Sequence, residues 1–568
     1  MSTPSISSSE FKAPTPGSWE LEATHLTRPA TRLTAQAMAR SMREGFAEST
    51  ARYGLGLSHF DVVQVNGFMY MKPIAFGAPP NASGPPPKLL LQVLTRLHPG
   101  MRARWRVADA AFKNKQWRLD LKRWDDEVKP ASIRKHREIQ AVDPASLSDD
   151  ELFAYVARCH EHYEVMVVQH HQFTISAAMP VGDLLVHVHK WTGVAPGRVI
   201  DTLRGSSPVS KGVASDELDA LGAALREDAD ARGLLDGALP PGEIVQALRD
   251  HGGKVGEATR AYLDMVGYRC LGYDLGEPYA LELPDVLVRA IRVAATGEGK
   301  ALSDGGQKER IAALRELVPA AHREAFDALL VEARHVNRLR DERGVYSDGW
   351  AIGLMRRALL ALGARLQKKG LLDDGALLLD ATWDEIKALA KAERAVGSEA
   401  LRERATWRTT RTIADAPPWL GAPPSPPPPA EWFPEIARRA QRATVTFIGC
   451  LFQAAPEPEK KEETVTGLPV NAGVYEGTAR LVNTDADFGK IQQGDVLLTR
   501  ATSPYFNVVL PMLGAIVTDR GGQLSHAAIV AREFGIPGVV GTRDATARIP
   551  DGARVRVDGG SGRVTVIG

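Results

Sequence analysis

The sequence predicts a multidomain α+β protein: a large, mainly helical region followed by a small β-rich domain carrying one strong helix. Three observations carry this. Between about Leu89 and Asp415, runs such as "DELDALGAALREDADARGLL", "AFDALLVEARHVNRL" and "GLMRRALLALGARLQKKG" repeat apolar residues at three and four. After Thr464 the text changes to short β-type runs, "GVYEGTARLV", "DVLLTRA", "GAIVTD" and "RVRVDGGSGRVTVI", divided by Gly, Asp and Pro. A chain of 568 residues, 44% hydrophobic, is long enough for three or four cores at about one domain per 150 residues.

The elements follow in chain order. Residues 1–18 are Ser/Pro-rich and read as a disordered N-terminus. Residues 19–88 hold a small β element, because "FDVVQVNGFMYMKP" places two β-rich runs around Asn66-Gly67, a dipeptide that supports a type I′ hairpin. Residues 89–415 form the helical domain, one of whose helices ends at Gly370 as a C-cap would. The prolines of "APPWLGAPPSPPPPAEW" exclude a helix interior and favour stiff extended chain. A helix, "EWFPEIARRAQRATVTFIGCLF", follows, and then "AAPEPEKKEE", which has nothing to bury. Residues 416–463 are therefore read as linker, helix and charged hinge, and residues 464–568 as the last domain.

Composition narrows the function classes. The net charge is +1, with no basic stripe or K/R-rich tail to suggest nucleic acid or a membrane surface, so small-molecule chemistry is favoured. Cys159, Cys270 and Cys450 are few, odd in number and far apart, which fits a reducing compartment better than a disulfide framework. The N-terminus has no apolar signal region, and the most apolar stretches, such as "ATVTFIGCLF", stop at about ten residues against the roughly 20 a spanning helix needs. The expected location is the cytoplasm.

One segment carries chemistry. "TDRGGQLSHAAIVAREFGIPGVVG", Thr518 to Gly541, reads as strand, glycine turn, helix, turn, strand. With Ser525 as N-cap, His526 falls in the first helical turn, where unpaired N–H groups and the dipole disfavour imidazolium, keep the ring nucleophilic and can hold an incoming phosphoryl group. Gly521 and Gly522 let the backbone approach that anion. The plain alternative is an ordinary surface histidine at a loop-to-helix junction.

The segment resembles the phosphohistidine motif of the phosphoenolpyruvate-utilising enzyme superfamily. The match covers Thr518, the glycine pair, Ser525-His526-Ala527-Ala528, Val530-Ala531-Arg532 and Gly535-Ile536-Pro537 with the trailing Val-Val-Gly. "GLPVNAGVYEGTARLV" and "GDVLLTRATSPYFNVVLPMLGAIVTD" extend it over about Thr464 to Gly568. The resemblance implies a small swivelling β/β/α phosphohistidine domain in which His526 is phosphorylated, with Gly521, Gly522, Ser525 and Arg532 binding the phosphoryl group. Arg532 lies about 120° round the helix from His526, so an exposed surface arginine is its alternative.

No P-loop and no ATP-grasp-like region is legible, and no phosphoenolpyruvate-binding barrel follows the histidine domain; the expectation is that another polypeptide charges His526. Within the superfamily the chain looks most like the phosphohistidine and acceptor subunit of phenylphosphate synthase, an enzyme split over subunits. That likeness implies a partner ATP-grasp subunit, ATP and magnesium on that partner, and a phenol-like hydroxyl acceptor. A pyruvate/phosphoenolpyruvate-type or antibiotic phosphotransferase component, and a non-catalytic phosphocarrier or regulatory protein, are the alternatives. The stretch from "RHVNRLRDERGVYSDGW" to "DATWDEI" is similar to the acceptor-binding region of rifampin phosphotransferase, and the opening "PGSWELEATHLTRPATRL" to the starts of such split enzymes. In that region a motif of Arg, an acidic residue, two others and Lys faces the acceptor. Arg340 and Asp341 match it, while Gly344 takes the lysine position with Arg343 beside it as a substitute. A cation for the phosphoryl oxygens and a base for the hydroxyl proton are what such a site requires, although so charged a stretch also forms plain solvated helix faces.

The remaining histidines suggest zinc only weakly. "CHEHYEVMVVQHHQF" and "HVHK" contain HxH pairs that point about 200° apart on a helix, whereas on a strand His187 and His189 would share a face. No metal site is expected on this chain.

Overall fold

The computed structural model describes residues 11–567 apart from 80, 209–211, 271, 298–305, 394–395, 453–463, 484, 503–505 and 507–508. The charged hinge Ala454 to Glu463 lies outside the described residues. The chain divides into two compact units: Met1–Asp183, Tyr273–Glu277 and Tyr346–Val445 form the first, and Leu184–Gly272, Pro278–Val345 and Thr446–Gly568 the second.

The first unit contains an antiparallel sheet of β1 (Ser18–Leu21), β2 (Leu57–Val65), β3 (Phe68–Ala75) and β4 (Trp419–Gly421), in the order β2-β3-β1-β4. Asn66 and Gly67 join β2 to β3 with φ of 49° and 84°, the two left-handed residues a type I′ turn requires. Trp19, Phe68, Tyr70 and Leu420 fill the small core on this sheet. Strand β4 comes from the proline-rich stretch, whose extended conformation suits an edge strand because prolines cannot donate to a ladder on both sides.

Most of the first unit is helical. The helix Asp149–Gln172 starts at a capping box of Ser148 and Glu151, and both Arg32–Arg52 and Gly349–Lys368 pack on it. Between them lies a buried polar chain: His162 Nε2 is 2.9 Å from His136 Nδ1, and His136 Nε2 is 3.1 Å from the Tyr346 carbonyl oxygen. His136 also stacks on Trp350 at 4.8 Å. His187 and His189 lie in the helix Thr174–Thr192, so their side chains diverge and do not chelate together. Among the described residues no cluster of three or more His, Cys, Asp or Glu is placed to hold a metal.

The second unit joins helices to a β-rich domain. Its eight strands are β5 (Val465–Thr466), β6 (Leu468–Asn471), β7 (Val474–Val482), β8 (Val496–Thr499), β9 (Ala515–Thr518), β10 (Gly538–Val540), β11 (Arg554–Asp558) and β12 (Arg563–Val566). They run in the order β5-β12-β11-β7-β8-β9-β10-β6, with β7, β8, β9 and β10 parallel. Both faces are buried, so the central strands are apolar throughout. The helix His526–Glu533 covers one face through Ala527, Ala528, Val530 and Ala531, and the short helix Ala545–Arg548 covers the other with Ala545 and Ile549.

The helix Pro284–Thr296 meets this domain through Val286, in the same core cluster, and through Arg289, which donates to the carbonyls of Phe488 at 3.0 Å and Gly489 at 2.9 Å. The architecture is multidomain α+β, a large helical part preceding the β-rich domain. No described helix is long and apolar enough to cross a membrane.

Candidate functional site

Strand β9 ends at Thr518, and the chain turns through Gly521 and Gly522 into the helix His526–Glu533. Gly521 has φ of 105°, and a Cβ there would sit 2.6 Å from Ser525 Oγ, so the turn itself demands glycine. At Gly522 a Cβ would sit 2.3 Å from the Cys450 carbonyl oxygen. The Gly522 N–H donates to the Leu451 carbonyl and the Leu524 N–H to that of Cys450, each at 3.1 Å. The close backbone approach that the glycine pair permits is thus to the end of the helix Glu435–Phe452, a partner different from the anion expected of it.

Ser525 is the N-cap, with β-region dihedrals and Oγ accepting the Ala528 N–H at 3.4 Å. The two earlier donors of this turn, on His526 and Ala527, meet no protein acceptor among the described residues. His526 is partly exposed, and its Nδ1 lies 3.0 Å from Thr502 Oγ1. Burial of most of the ring lowers its pKa from 6.5 to about 4; the charge of Asp341 opposes the shift and that of Arg340 adds to it. The imidazole is therefore neutral near pH 7, and loss of hydration is a larger cause than any charged neighbour.

Arg340, Asp341 and Arg532, singled out in the sequence, lie around this helix. Arg340 donates to the Leu524 carbonyl at 3.4 Å and to Asp341 Oδ1 at 2.7 Å, and Ser207 Oγ donates to Asp341 Oδ2 at 2.7 Å. Both Arg340 and Asp341 are half-buried, so this part of the helix Arg323–Arg343 is not a plain solvated face. Arg343 closes that helix, half-buried, just before a π-helical turn at Gly344–Asp348. Arg532 is 3% exposed rather than on the surface: it pairs with Asp201 at 2.6 Å and donates to the Gln523 carbonyl at 2.6 Å. It braces the loop ahead of His526 from behind.

Glu533 takes the Gly205 N–H on its carboxylate at 3.0 Å, and the Glu533 carbonyl accepts from Arg204 at 3.1 Å. A cavity of about 20 Å³ among Ile200, Arg204, Asn337, Arg340 and Arg532 has room for a water and none for an organic acceptor.

Sequence reasoning passed over Thr502, Asp201 and Ser207. A signal for Thr502 was present: β8 and β9 are parallel neighbours, so residues just beyond the carboxyl end of one strand lie beside those just beyond the other, where open α/β sheets place their ligands. Asp201 and Ser207 are more than 300 and more than 130 residues from their partners and left no local trace.

Comparison with known proteins agrees with this geometry. Residues 491–562 match the mobile domain of PEP-utilising enzymes, and residues 170–341 match the rifampicin phosphotransferase fourth domain. A rifampicin phosphotransferase of a Streptomyces species is 28% identical over 396 residues, 67% of this chain and 42% of that protein. The phosphoenolpyruvate synthase of Aeropyrum pernix is 47% identical over 113 residues, 20% of this chain and 13% of its own length. YvkC of Bacillus subtilis, described as an uncharacterized phosphotransferase, is 29% identical over 245 residues, 43% of this chain and 27% of that protein. The chain spans less than half the length of each of these relatives. Residues 491–562, with the histidine their loop presents, are thus similar to the mobile domain of the phosphoenolpyruvate-utilising enzyme superfamily, and residues 170–341 to a rifampicin phosphotransferase domain.

Proposed function

We propose that the chain is the phosphohistidine-carrying component of a dikinase-type, ATP-dependent phosphotransferase of the cytoplasm. A phosphoryl group, by analogy the β-phosphoryl of ATP held with magnesium on a separate ATP-grasp polypeptide, is transferred to His526 and from there to a hydroxyl acceptor. Phenol, giving phenylphosphate, is the first acceptor to test. The observation that carries the reading is a neutral imidazole in the first turn of a helix, with Nδ1 held by Thr502 and two N–H groups of that turn unclaimed by protein among the described residues.

The chemistry follows from that arrangement. If Nδ1–H donates to Thr502, the lone pair is on Nε2, which forms the P–N bond as the β-phosphorus parts from the oxygen left on AMP, while the γ-phosphoryl passes to water and leaves as inorganic phosphate. The helix N-terminus and Arg340 stabilise charge on the phosphoryl oxygens. In the second step the acceptor oxygen replaces nitrogen on phosphorus, a base takes the hydroxyl proton, and the ring returns neutral. Asp341 is the candidate base and Arg343 a second cation for the acceptor end. Gly521, Gly522, Ser525 and Arg532 hold the loop in the shape that leaves the imidazole available.

The test is incubation with a purified ATP-grasp polypeptide of the phosphoenolpyruvate-utilising type and ATP labelled in its β-phosphoryl group. Acid-labile label on His526 is expected, and phenol, pyruvate and rifampicin are then compared as acceptors. Label that survives His526→Ala sinks the assignment. Label on His526 that none of these acceptors discharges favours a phosphocarrier.

A further inference from the structure

Several arginines of the second unit serve as braces: Arg289 and Arg340 donate to backbone carbonyls, Arg532 pairs with Asp201, and Arg480 pairs with Asp495 at 2.9 Å. Arg500 and Arg520 are different. Among the described residues neither guanidinium has a hydrogen bond, an ion pair or a ring contact. Arg520 is exposed and Arg500 half-buried. The carboxylate nearest in sequence, Asp519, is 5% exposed and otherwise engaged: it accepts from the Thr546 N–H at 3.0 Å, from the Thr542 hydroxyl at 3.2 Å and from the Thr546 hydroxyl.

Their place in the fold is specific. Strands β8 and β9 are parallel neighbours that end in register at Thr499 and Thr518. Arg500 directly follows the first, and Arg520 stands two residues beyond the second. The Arg520 N–H donates to the Arg500 carbonyl at 2.8 Å, so the two side chains leave adjacent segments at the carboxyl edge of the sheet. That edge is where open α/β sheets take their ligands. Each arginine also belongs to a loop that fixes the His526 ring. Two residues after Arg500 comes Thr502, 3.0 Å from Nδ1. Directly after Arg520 comes Gly521, packed so closely on Ser525 that a Cβ would sit 2.6 Å from its Oγ.

The chemistry of the two groups narrows the ligand. Two cations on adjacent segments, with no carboxylate engaging either, repel each other, and an anion shared between them relieves that repulsion. A phosphate suits a guanidinium fork in geometry as well as in charge. One phosphoryl group, the one carried on His526, is already provided for by the two N–H groups of the first helical turn. Asp341 and Arg340 are the charges that act on the ring itself. Arg500 and Arg520 are therefore surplus to a single phosphoryl group and match a ligand that continues beyond it in further phosphates.

We propose that Arg500 and Arg520 form a binding site for the phosphoanhydride chain of the molecule that phosphorylates His526. The proposal rests on the phosphohistidine role and adds the residues by which this chain itself holds the phosphates flanking the transferred one. The ligand class is two or more linked phosphates, in pyrophosphate or in a nucleoside polyphosphate.

The test needs no partner polypeptide. Pyrophosphate, ATP and inorganic phosphate are titrated calorimetrically into the full chain. Pyrophosphate is expected to bind more tightly than inorganic phosphate, and Arg500→Gln with Arg520→Gln to weaken it at least about tenfold. Arg554→Gln, which removes an exposed arginine from β11, is expected to change it less than about twofold. Unchanged melting temperatures show that the variants fold. ATP bound more tightly than pyrophosphate marks a nucleotide as the source of the chain, and equal binding marks any phosphoanhydride. The assignment falls if the double variant binds pyrophosphate as the parent does, if Arg554→Gln weakens binding equally, or if inorganic phosphate binds as tightly. Phosphoramidate, a reagent with a single phosphorus, separates the site from the function. Acid-labile label on His526 in parent and double variant alike, with pyrophosphate binding lost only in the variant, supports the assignment. Label with unchanged pyrophosphate binding overturns the arginine site and leaves the function standing, whereas a parent chain that takes no label on His526 overturns the function on which the site rests.

Discussion

His526 in the second unit and His162 in the first have the same acid–base character and opposite surroundings. Burial is the largest cause in each and lowers both pKa values from 6.5 to about 4, so both rings are neutral near pH 7. His162 is 7% exposed, sits in the middle of a 24-residue helix where every backbone N–H is already used, and has its Nε2 against His136. His526 is partly exposed, opens an eight-residue helix, and has its Nδ1 against a hydroxyl. A depressed pKa therefore does not mark a nucleophile. What distinguishes the two is the partial exposure of His526 together with helix N-terminal donors that no described protein group takes up, the features on which the proposed role rests.

The largest expected effect tests that contrast at its centre. His526→Ala abolishes acid-labile labelling outright while leaving the melting temperature within a degree or two, because the side chain is partly exposed; His162→Ala does the reverse. Removing His162 strips the His136 Nδ1 of its partner inside the bundle and destabilises the first unit by about 1–3 kcal/mol, read by thermal unfolding, with labelling of His526 retained. If His162→Ala lost its label without losing stability, the contrast would be wrong.

Thr502→Val comes next. Without the hydroxyl the ring loses its tautomer and orientation, and the labelling rate falls roughly ten- to a hundredfold, about 1.4–2.7 kcal/mol in barrier, with Thr502→Ser restoring most of it. A rate within twofold of the parent would deny Thr502 this part. Gly522→Ala tests the frame of the loop: its Cβ would meet the Cys450 carbonyl oxygen at 2.3 Å, costing about 1–3 kcal/mol of stability and slowing labelling through the displaced loop.

The smallest effect is the dependence on pH. Labelling is expected to stay flat from about pH 8 to about pH 6 and to decline as pH falls toward the His526 value of about 4, since only the neutral ring carries a lone pair. Stability follows the same sign. Both rings have folded values below the unfolded 6.5, so the unfolded chain takes up protons first, and the contribution of the neutral rings is intact above about pH 6.5 and lost between there and about 4. A labelling rate that climbs on acidification through this range would show that the imidazolium is the working form.

Local physics was legible in the residues alone. Ser525 caps because its hydroxyl reaches a nearby backbone N–H, Asn66-Gly67 turns because both positions accept positive φ, and the run from Ala527 to Ala531 is apolar because it lies on a sheet. Each of these is settled by residues within one or two turns of chain, so spacing and residue type suffice. The division of the chain into two units that alternate along the sequence was not legible, since segments such as Tyr273–Glu277 and Trp419–Gly421 find their places through partners hundreds of residues away.

The sequence by itself determined that a histidine opens a helix behind a glycine turn, in the pattern of a phosphohistidine loop. Only the tertiary structure decided what surrounds it: that Thr502 holds the ring, that Gly522 is glycine because the Cys450 carbonyl is there, and that Arg532 pairs with Asp201 rather than standing in solvent. The physical reason is range. Capping, turn dihedrals and amphipathic period are properties of neighbouring residues, whereas desolvation, ion pairing and close backbone approach depend on which distant segments the fold brings within a few ångströms.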